Sequence, residues 1–308
     1  GLASPLDFPP LSQAITPEDR VAITVPAGVP AAQAIVAGTV YALTEAGIAA
    51  DQITIVEERG EAFRAGRDIV DGLPHEYRRQ VRVVVHDPTD RDQLSYLAAN
   101  EDGEAIYFQR DIGEADVVIP IACLRGDRVL GELGMQSQLY PTFADEAALQ
   151  RFHATDSRQD ESNRQQCIKA ADEANWLLGV MLYVGVLPGA GGAVLDVLVG
   201  DRSTLSKRAN EVCALAWEFE SLEQSDLVIA TIGGETEQQT WDNVGRALHA
   251  ASQLVSEEGA IVVCCELDEP PSQSLHSMAS ASAGALQDNA RHSFAGTLAG
   301  ERLASLRE

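Results

Sequence analysis

Basic residues are scarce in this sequence. Across 308 residues, 22 Lys and Arg stand against 47 Asp and Glu, a formal net charge of −25. A surface of that sign repels nucleic acid and anionic membrane, so no nucleic acid and no membrane are expected as partners. The acidic excess serves solubility or suits a salty habitat. No apolar run approaches the roughly 20 residues that span a bilayer, and no charged-then-apolar leader opens the chain, which reads as cytoplasmic. The five cysteines, Cys123, Cys167, Cys213, Cys264 and Cys265, form no CxxC pair and no recurring spacing. They read as buried, inert thiols rather than a metal or disulfide framework. Cys264 and Cys265 are neighbours in the strand-like run IVVCCEL, which would point them to opposite faces and make them poor joint ligands. A GxGxxG fingerprint is missing too. GAGG at 189–192 reads as part of a hairpin turn, which argues against a dinucleotide site. No internal repeat stands out.

What is present is an alternation of short apolar strands and amphipathic helices. VAITV at 21–25, ITIVE at 53–57, VRVVVHD at 81–87, EAIYFQ at 104–109 and ADVVIPIA at 115–122 read as strands. A helix from Ala31 to Ala46 with Gly47 as its stop, a short helix from Pro74, and a helical turn over Leu94 to Ala99 lie between them. This pattern predicts an α/β fold with a largely parallel sheet covered on both faces. Residues 144–175 read as mostly helical, with the polar stretch ATDSRQDESN as an exposed joint. A second α/β pattern follows. WLLGVMLYVG at 176–185 and AVLDVLVGD at 193–201 are expected to form a hairpin around PGAGG. Then come a helix from Thr204 to Leu215, a strand at 225–234, a helix from Trp241 to Ser256 stopped near Gly259, and a strand at 259–267. After Pro270 and Pro271 the sequence turns rich in Ser and Ala, with weak helical signal. The length suits two domains, divided here as 1–160 and 161–308.

Ligands of α/β sheets gather at the carboxyl ends of the strands. PAGVP at 26–30 follows the first strand and offers backbone N–H groups but no charge; an ordinary turn is the competing reading. VVVHDPTD at 83–90 puts His86 and Asp87 at a strand end, where an imidazole can act as acid or base or Asp87 can cap a helix. Arg125, Asp127 and Arg128 open the glycine-punctuated loop after the fifth strand, and His153 follows on a helix. In the second half, Gly233 and Gly234 precede a helix whose N-terminus attracts anions, and Asn243 and Arg246 share one face of it. An Arg there suits a carboxylate, or is simply solvated.

Taken in order, PPLSQAITPEDRVAIT, VVVHDPTD, ADVVIPIA with its glycine loop, VLVGD, and SDLVIATIGG…NVGRALHAASQLVSEEGAIVVCCEL resemble the nickel-pincer lactate racemases, over the stretch from about Pro9 to Leu267. The resemblance implies two α/β domains with the site between them. It also implies a nickel-pincer nucleotide held by a lysine, a nickel-ligating histidine, and two histidines that exchange the hydroxyl proton while hydride moves between a 2-hydroxy acid carbon and the cofactor. Carried over residue by residue, most of that machinery is replaced. The Asp and Arg of the phosphate-gripping loop fall on Pro26 and Val29. Gly60 remains of Gly-x-His, but the histidine is Ala62. The second catalytic histidine falls on Asp127. In GELGMQSQLYP, Gly131, Gly134 and Pro141 persist while the lysine is Ser137. The metal-binding histidine falls on His153, and a Gln–Lys pair becomes Asn243 and Arg246.

Two expectations follow. One is a relative that keeps the fold, holds no cofactor and no longer racemises, binding a small carboxylate-bearing ligand through Arg128, Asn243 and Arg246. The other is a racemase or epimerase of a 2-hydroxy acid or sugar acid with altered chemistry. In it Asp127 is the base, His86 or His153 assists, and Arg246 or Arg128 holds the carboxylate. A homo-oligomer is compatible with either.

Overall fold

The structure, a computed structural model, describes residues 1–2, 4–58, 68–100, 103–126, 133–153, 161–221, 223–234 and 236–268. Its main element is a six-stranded sheet in the order β3-β2-β1-β6-β7-β8. The strands are β1 (Val21–Val25), β2 (Ile53–Glu58), β3 (Arg82–His86), β6 (Val117–Cys123), β7 (Tyr183–Pro188) and β8 (Val194–Gly200). All neighbours pair parallel except β7 and β8, which are antiparallel. Every residue of β1 is buried, the pattern expected of a parallel strand covered on both sides.

The two faces carry separate cores. Val21, Ile23 and Val25 of β1 pack with Val36, Val40 and Leu43 of α2 (Ala32–Glu45). Ala22 points the other way and packs with Phe108, Phe143 and Ala148, and with Ala171 of the long helix Glu161–Leu177. A third cluster joins Tyr183 and Leu187 of β7 to Leu205, Ala209 and Cys213. The helices in chain order are α1 (Leu11–Ala14), α2, α3 (His75–Arg78), α4 (Arg110–Gly113), α5 (Glu146–His153), α6 (Glu161–Leu177), α7 (Arg202–Trp217) and α8 (Trp241–Ser252). No helix among the described residues is long and apolar enough to cross a membrane.

Several sequence expectations are corrected. Leu94–Ala99 is a strand, β4, not a helical turn. It pairs antiparallel with β5 (Ala105–Gln109), which therefore lies outside the parallel sheet. The Leu- and Ala-rich local sequence favours helix, but cross-strand partners such as the edge-to-face Tyr96–Tyr107 pair decide the outcome. Trp176 and Leu177 end α6 instead of opening a strand. Gly179, at φ 69, lets the N–H groups of Gly179 and Val180 return to the carbonyls of Trp176 and Asn175, a Schellman closure. β7 and β8, read as the start of a second α/β pattern, complete the first sheet, which thus draws strands from both sides of residue 160. α8 stops at Ser252, and Gly259 lies inside the next strand. That strand, β10 (Val255–Cys264), pairs parallel with β9 (Ser225–Thr231) in a separate two-stranded sheet, and α8 contacts both. Cys123, Cys167 and Cys213 are buried as expected, but Cys264 and Cys265 are exposed.

Candidate functional site

The carboxyl edge of the parallel sheet gathers the polar groups. Pro26–Pro30 follows β1 and turns through Gly28 at φ 77. The Ala27 N–H of this loop donates to Glu58 Oε2 at 2.7 Å, tying it to the end of β2. Glu57, the preceding residue, is buried. Burial, reinforced by the nearby charge of Asp68, pushes its carboxyl up to about 6. The Glu58 carboxyl is also raised, chiefly by burial; the Ala27 amide opposes the shift and Asp242 adds to it. Two adjacent carboxyls that resist ionisation therefore end β2, beside the Pro26–Pro30 loop.

His86 ends β3 in register with Glu58. Its ring is 2% exposed, lies 5.7 Å from the Phe143 ring, and meets the Ala144 carbonyl at 2.9 Å. A carbonyl only accepts, so Nε2 carries the proton. Burial lowers the pKa, against smaller opposing effects of the Ala144 carbonyl and Asp87, which keeps the ring neutral near pH 7. Nδ1 is buried with no hydrogen-bond partner among the described residues. Asp87 does not cap a helix. Its Oδ1 accepts from the Thr89 N–H and hydroxyl at 3.0 and 2.6 Å, closing a local turn.

The glycine loop after β6 is held by a buried amide network that the sequence reading missed. Gln138 clamps both main-chain groups of Cys123, accepting from its N–H and donating to its carbonyl, each at 2.7 Å. Asn175 of α6 donates to the carbonyls of Gln136 and Ala171 at 3.1 and 2.7 Å and accepts from the Tyr183 hydroxyl at 2.7 Å. The Gly134 φ of 87 starts the turn Met135–Gln138. Ser137 directs its hydroxyl back onto the Gly134 carbonyl at 2.7 Å. A niche of about 20 Å3 beside it, lined by Cys123, Arg125, Gly134, Met135, Ser206, Ala209 and others, is large enough for one water.

α8 brings the remaining candidates. Thr240 caps it, accepting from the Asn243 N–H at 3.2 Å, and the Arg246 guanidinium donates to Asn243 Oδ1 at 2.9 Å. Asp242 in its first turn adds to the upward shift of the Glu58 carboxyl. The turn between β7 and β8 also approaches this unit: a Cβ on Gly234 would stand 3.1 Å from the Gly191 backbone.

The predicted residues thus divide. His86 and the Asn243–Arg246 pair are placed, on β3 and α8 respectively, and Glu58 stands in register with His86. Gly60, Ala62, Asp127, Arg128 and Gly131 lie outside the described residues, as does the side chain of His153, whose backbone ends α5. Glu57 and Glu58 carried a readable signal, a pair of acids closing the apolar run ITIV. Among the described residues no three His, Cys, Asp or Glu side chains are grouped to hold a metal ion. A cavity of about 610 Å3 lies elsewhere, between α2, the N-terminal segment and β7–β8, lined by apolar groups such as Leu11, Ile35, Val184 and Val199.

Residues 1–165 match the model of the lactate racemase N-terminal domain. The fold is similar to that of the lactate racemase apoprotein from Thermoanaerobacterium thermosaccharolyticum, with a TM-score of 0.75 and 13% identity over 99% of this chain and 76% of that one. It is also similar to a protein from Thermotoga maritima, with a TM-score of 0.63 and 12% identity over 97% and 81% of the two chains. A search of curated proteins finds no match.

Proposed function

We propose that this chain, which belongs to the lactate racemase family, retains the family framework as a binder of a small carboxylate-bearing anion and does not racemise. The observation that carries the reading is Ser137. By its resemblance to the family loop it falls at the lysine position, and its hydroxyl is committed to the Gly134 carbonyl. A hydroxyl cannot form the covalent attachment that a lysine amine makes. The Pro26–Pro30 loop, with no charged side chain, gives up the charge-assisted phosphate contact, about 1.5–3 kcal/mol per hydrogen bond. These residues do not fit a nickel-pincer nucleotide, and no step of this reading runs through one. The turn Met135–Gln138 stays tied down by Gln138 to Cys123 and by Asn175 to the Gln136 carbonyl. Arg246 and Asn243 are the described groups suited to a carboxylate.

The test is co-expression with the enzymes that make the nucleotide, followed by intact-mass measurement and chiral chromatography of added lactate. The expected result is an unmodified mass and no racemisation, with thermal stabilisation by at least one 2-hydroxy acid that Arg246→Ala abolishes. A covalent mass increment, or racemised lactate, overturns it.

A second reading is favoured by Glu57. A carboxyl with a pKa of about 6 at the sheet edge is tuned for general acid–base work near neutral pH. It would serve an epimerase of altered chemistry. In that case Glu57→Gln abolishes deuterium exchange at the carbon bearing the hydroxyl in a panel of hydroxy acids; absence of any exchange in the wild type removes the reading.

A further inference from the structure

β1, the Pro26–Pro30 loop and α2 form a strand–loop–helix unit. In α/β sheets such a unit receives anions, at the carboxyl end of the strand and the start of the helix. Its donors here are few. Pro26 and Pro30 have no N–H, which leaves Ala27, Gly28 and Val29. Val29 is buried, whereas Ala27 and Gly28 are exposed. α2 opens without a side-chain cap and without an acid in its first turn. The helix therefore supplies no negative group of its own to the partial positive charge at its start. A carboxyl comes instead from the next strand. Val25 pairs with Glu57, so Glu58 ends level with Pro26. Its side chain crosses one strand spacing, about 4.8 Å, and Oε2 accepts from the Ala27 N–H at 2.7 Å, a length typical of charge-assisted bonds. Burying a carboxyl costs free energy unless it is hydrogen-bonded. The Ala27 amide opposes the upward shift that burial and Asp242 impose on Glu58.

We infer that Glu58 is the internal ligand of this loop: its carboxyl holds the donor that a phosphate oxygen needs, and the chain thereby refuses phosphate-bearing ligands at the end of β1. Glu58 is thus a specificity-determining residue, and it acts in two ways. It occupies the Ala27 N–H. It also leaves an incoming phosphate monoester, with about −1.5 to −2 charges, to face both its own carboxyl and Asp242, whose charge already bears on Glu58. The inference rests on the reading above in one respect, that the chain has given up a phosphate-bearing cofactor. In that reading Ser137 removes the covalent anchor of such a group. Glu58 fills the loop onto which, by the resemblance, its phosphate contacts fall.

The test is calorimetric titration of the full chain with inorganic phosphate, against sodium chloride of equal ionic strength to remove the general effect of salt on a chain of net charge −25. Wild type should give no saturable heat. Glu58→Gln should behave like it, because the amide oxygen still accepts from Ala27. Glu58→Ala frees the N–H and opens the hole to water, and should bind phosphate at least about tenfold more tightly than either. Equally strong binding to wild type overturns the inference, as does no binding to Glu58→Ala. Binding to Glu58→Gln as strong as to Glu58→Ala overturns it too, since charge alone would then keep phosphate out. A second measurement needs no variant. Ala27 is exposed, so protection of its amide from hydrogen exchange reports the bond to Glu58. In wild type that amide should exchange at least about tenfold more slowly than in an unstructured peptide of the same sequence. Exchange at the peptide rate overturns the inference even where Glu58→Ala fails to fold. Binding of a hydroxy acid is read separately, through Arg246→Ala, so either reading can fail while the other stands.

Discussion

Glu57 shows how one buried side chain couples the sheet edge to pH. Its carboxyl titrates near 6 in the folded chain against an ordinary 4.5. Below pH 4.5 it is protonated whether the chain is folded or not. Between 4.5 and about 6 the folded chain holds a proton that the unfolded chain has released, so stability falls as pH rises through that window and is level above it. The full shift corresponds to about 2 kcal/mol; partial solvent screening reduces it to about 1 kcal/mol. Glu57→Gln should therefore be about 1 kcal/mol more stable than wild type at pH 7.5 and lose that advantage by pH 4.5, in urea titrations. His86 acts in the opposite sense, since burial lowers its pKa and acid must charge it, but its contribution cancels in the difference between the two proteins. An advantage that stays constant with pH would show that the Glu57 carboxyl is not shifted. Tyr183→Phe tests the amide network in the same way. It strips Asn175 Oδ1 of its donor and should cost about 1–2 kcal/mol, whereas Asn175→Ala orphans the Tyr183 hydroxyl and the carbonyls of Gln136 and Ala171 and should cost about 2–4 kcal/mol. Neither residue was legible as part of the site. Asn175 lies some forty positions from Gln136, and a polar residue inside a helix pattern gives no hint that it will be buried against a distant loop. The position of Ser137, by contrast, was legible, because glycine and proline punctuation fixes where that loop turns.

At the scale of elements, the central strands could be read because each is an apolar run bounded by turn residues, and β1, β2, β3 and β6 appear within a residue or two of their expected limits. What could not be read was partnership. β4 has a helix-favouring composition and becomes a strand only because β5 pairs with it. β7 and β8 were recognisable as a hairpin, yet their membership of the first sheet depends on three parallel contacts between β6 and β7, which leave no periodic trace. Helix starts were more local. Asp201 caps α7 by accepting from the N–H groups of Ser203 and Thr204 at 2.9 and 3.2 Å. α7 supplies Leu205, Ala209 and Cys213 to the core behind the glycine loop. Asp201→Ala should cost about 1 kcal/mol and Asp201→Asn distinctly less, since the amide oxygen still accepts. Equal losses for the two variants would assign the cost to the negative charge at the helix start rather than to the hydrogen bond.

For the whole molecule, the charge balance decides how the fold responds to its solvent. A net −25 opposes compaction, and the repulsion is also local. Asp68 and Asp242 each raise a carboxyl at the sheet edge, Glu57 and Glu58 respectively. Among the described residues the opposing attractions include exposed pairs such as Arg20–Asp116, Arg78–Asp71 and Arg208–Glu211, each worth about 0–1 kcal/mol. Salt shortens the screening length from roughly 30 Å at 0.01 M to about 3 Å at 1 M. Long-range repulsion among many acids is screened first and most, while contacts at about 3 Å survive. Sodium chloride should therefore raise the melting temperature, most steeply below about 0.2 M, with each kcal/mol worth roughly 2–4 °C for a chain of this size. An equal osmolality of sucrose separates screening from exclusion of solute at the surface, since only salt acts on charge. A melting temperature that falls on adding salt would mean that the ion pairs outweigh the repulsion. The acidic excess would then be arranged as compensated pairs rather than as a field that the fold must resist.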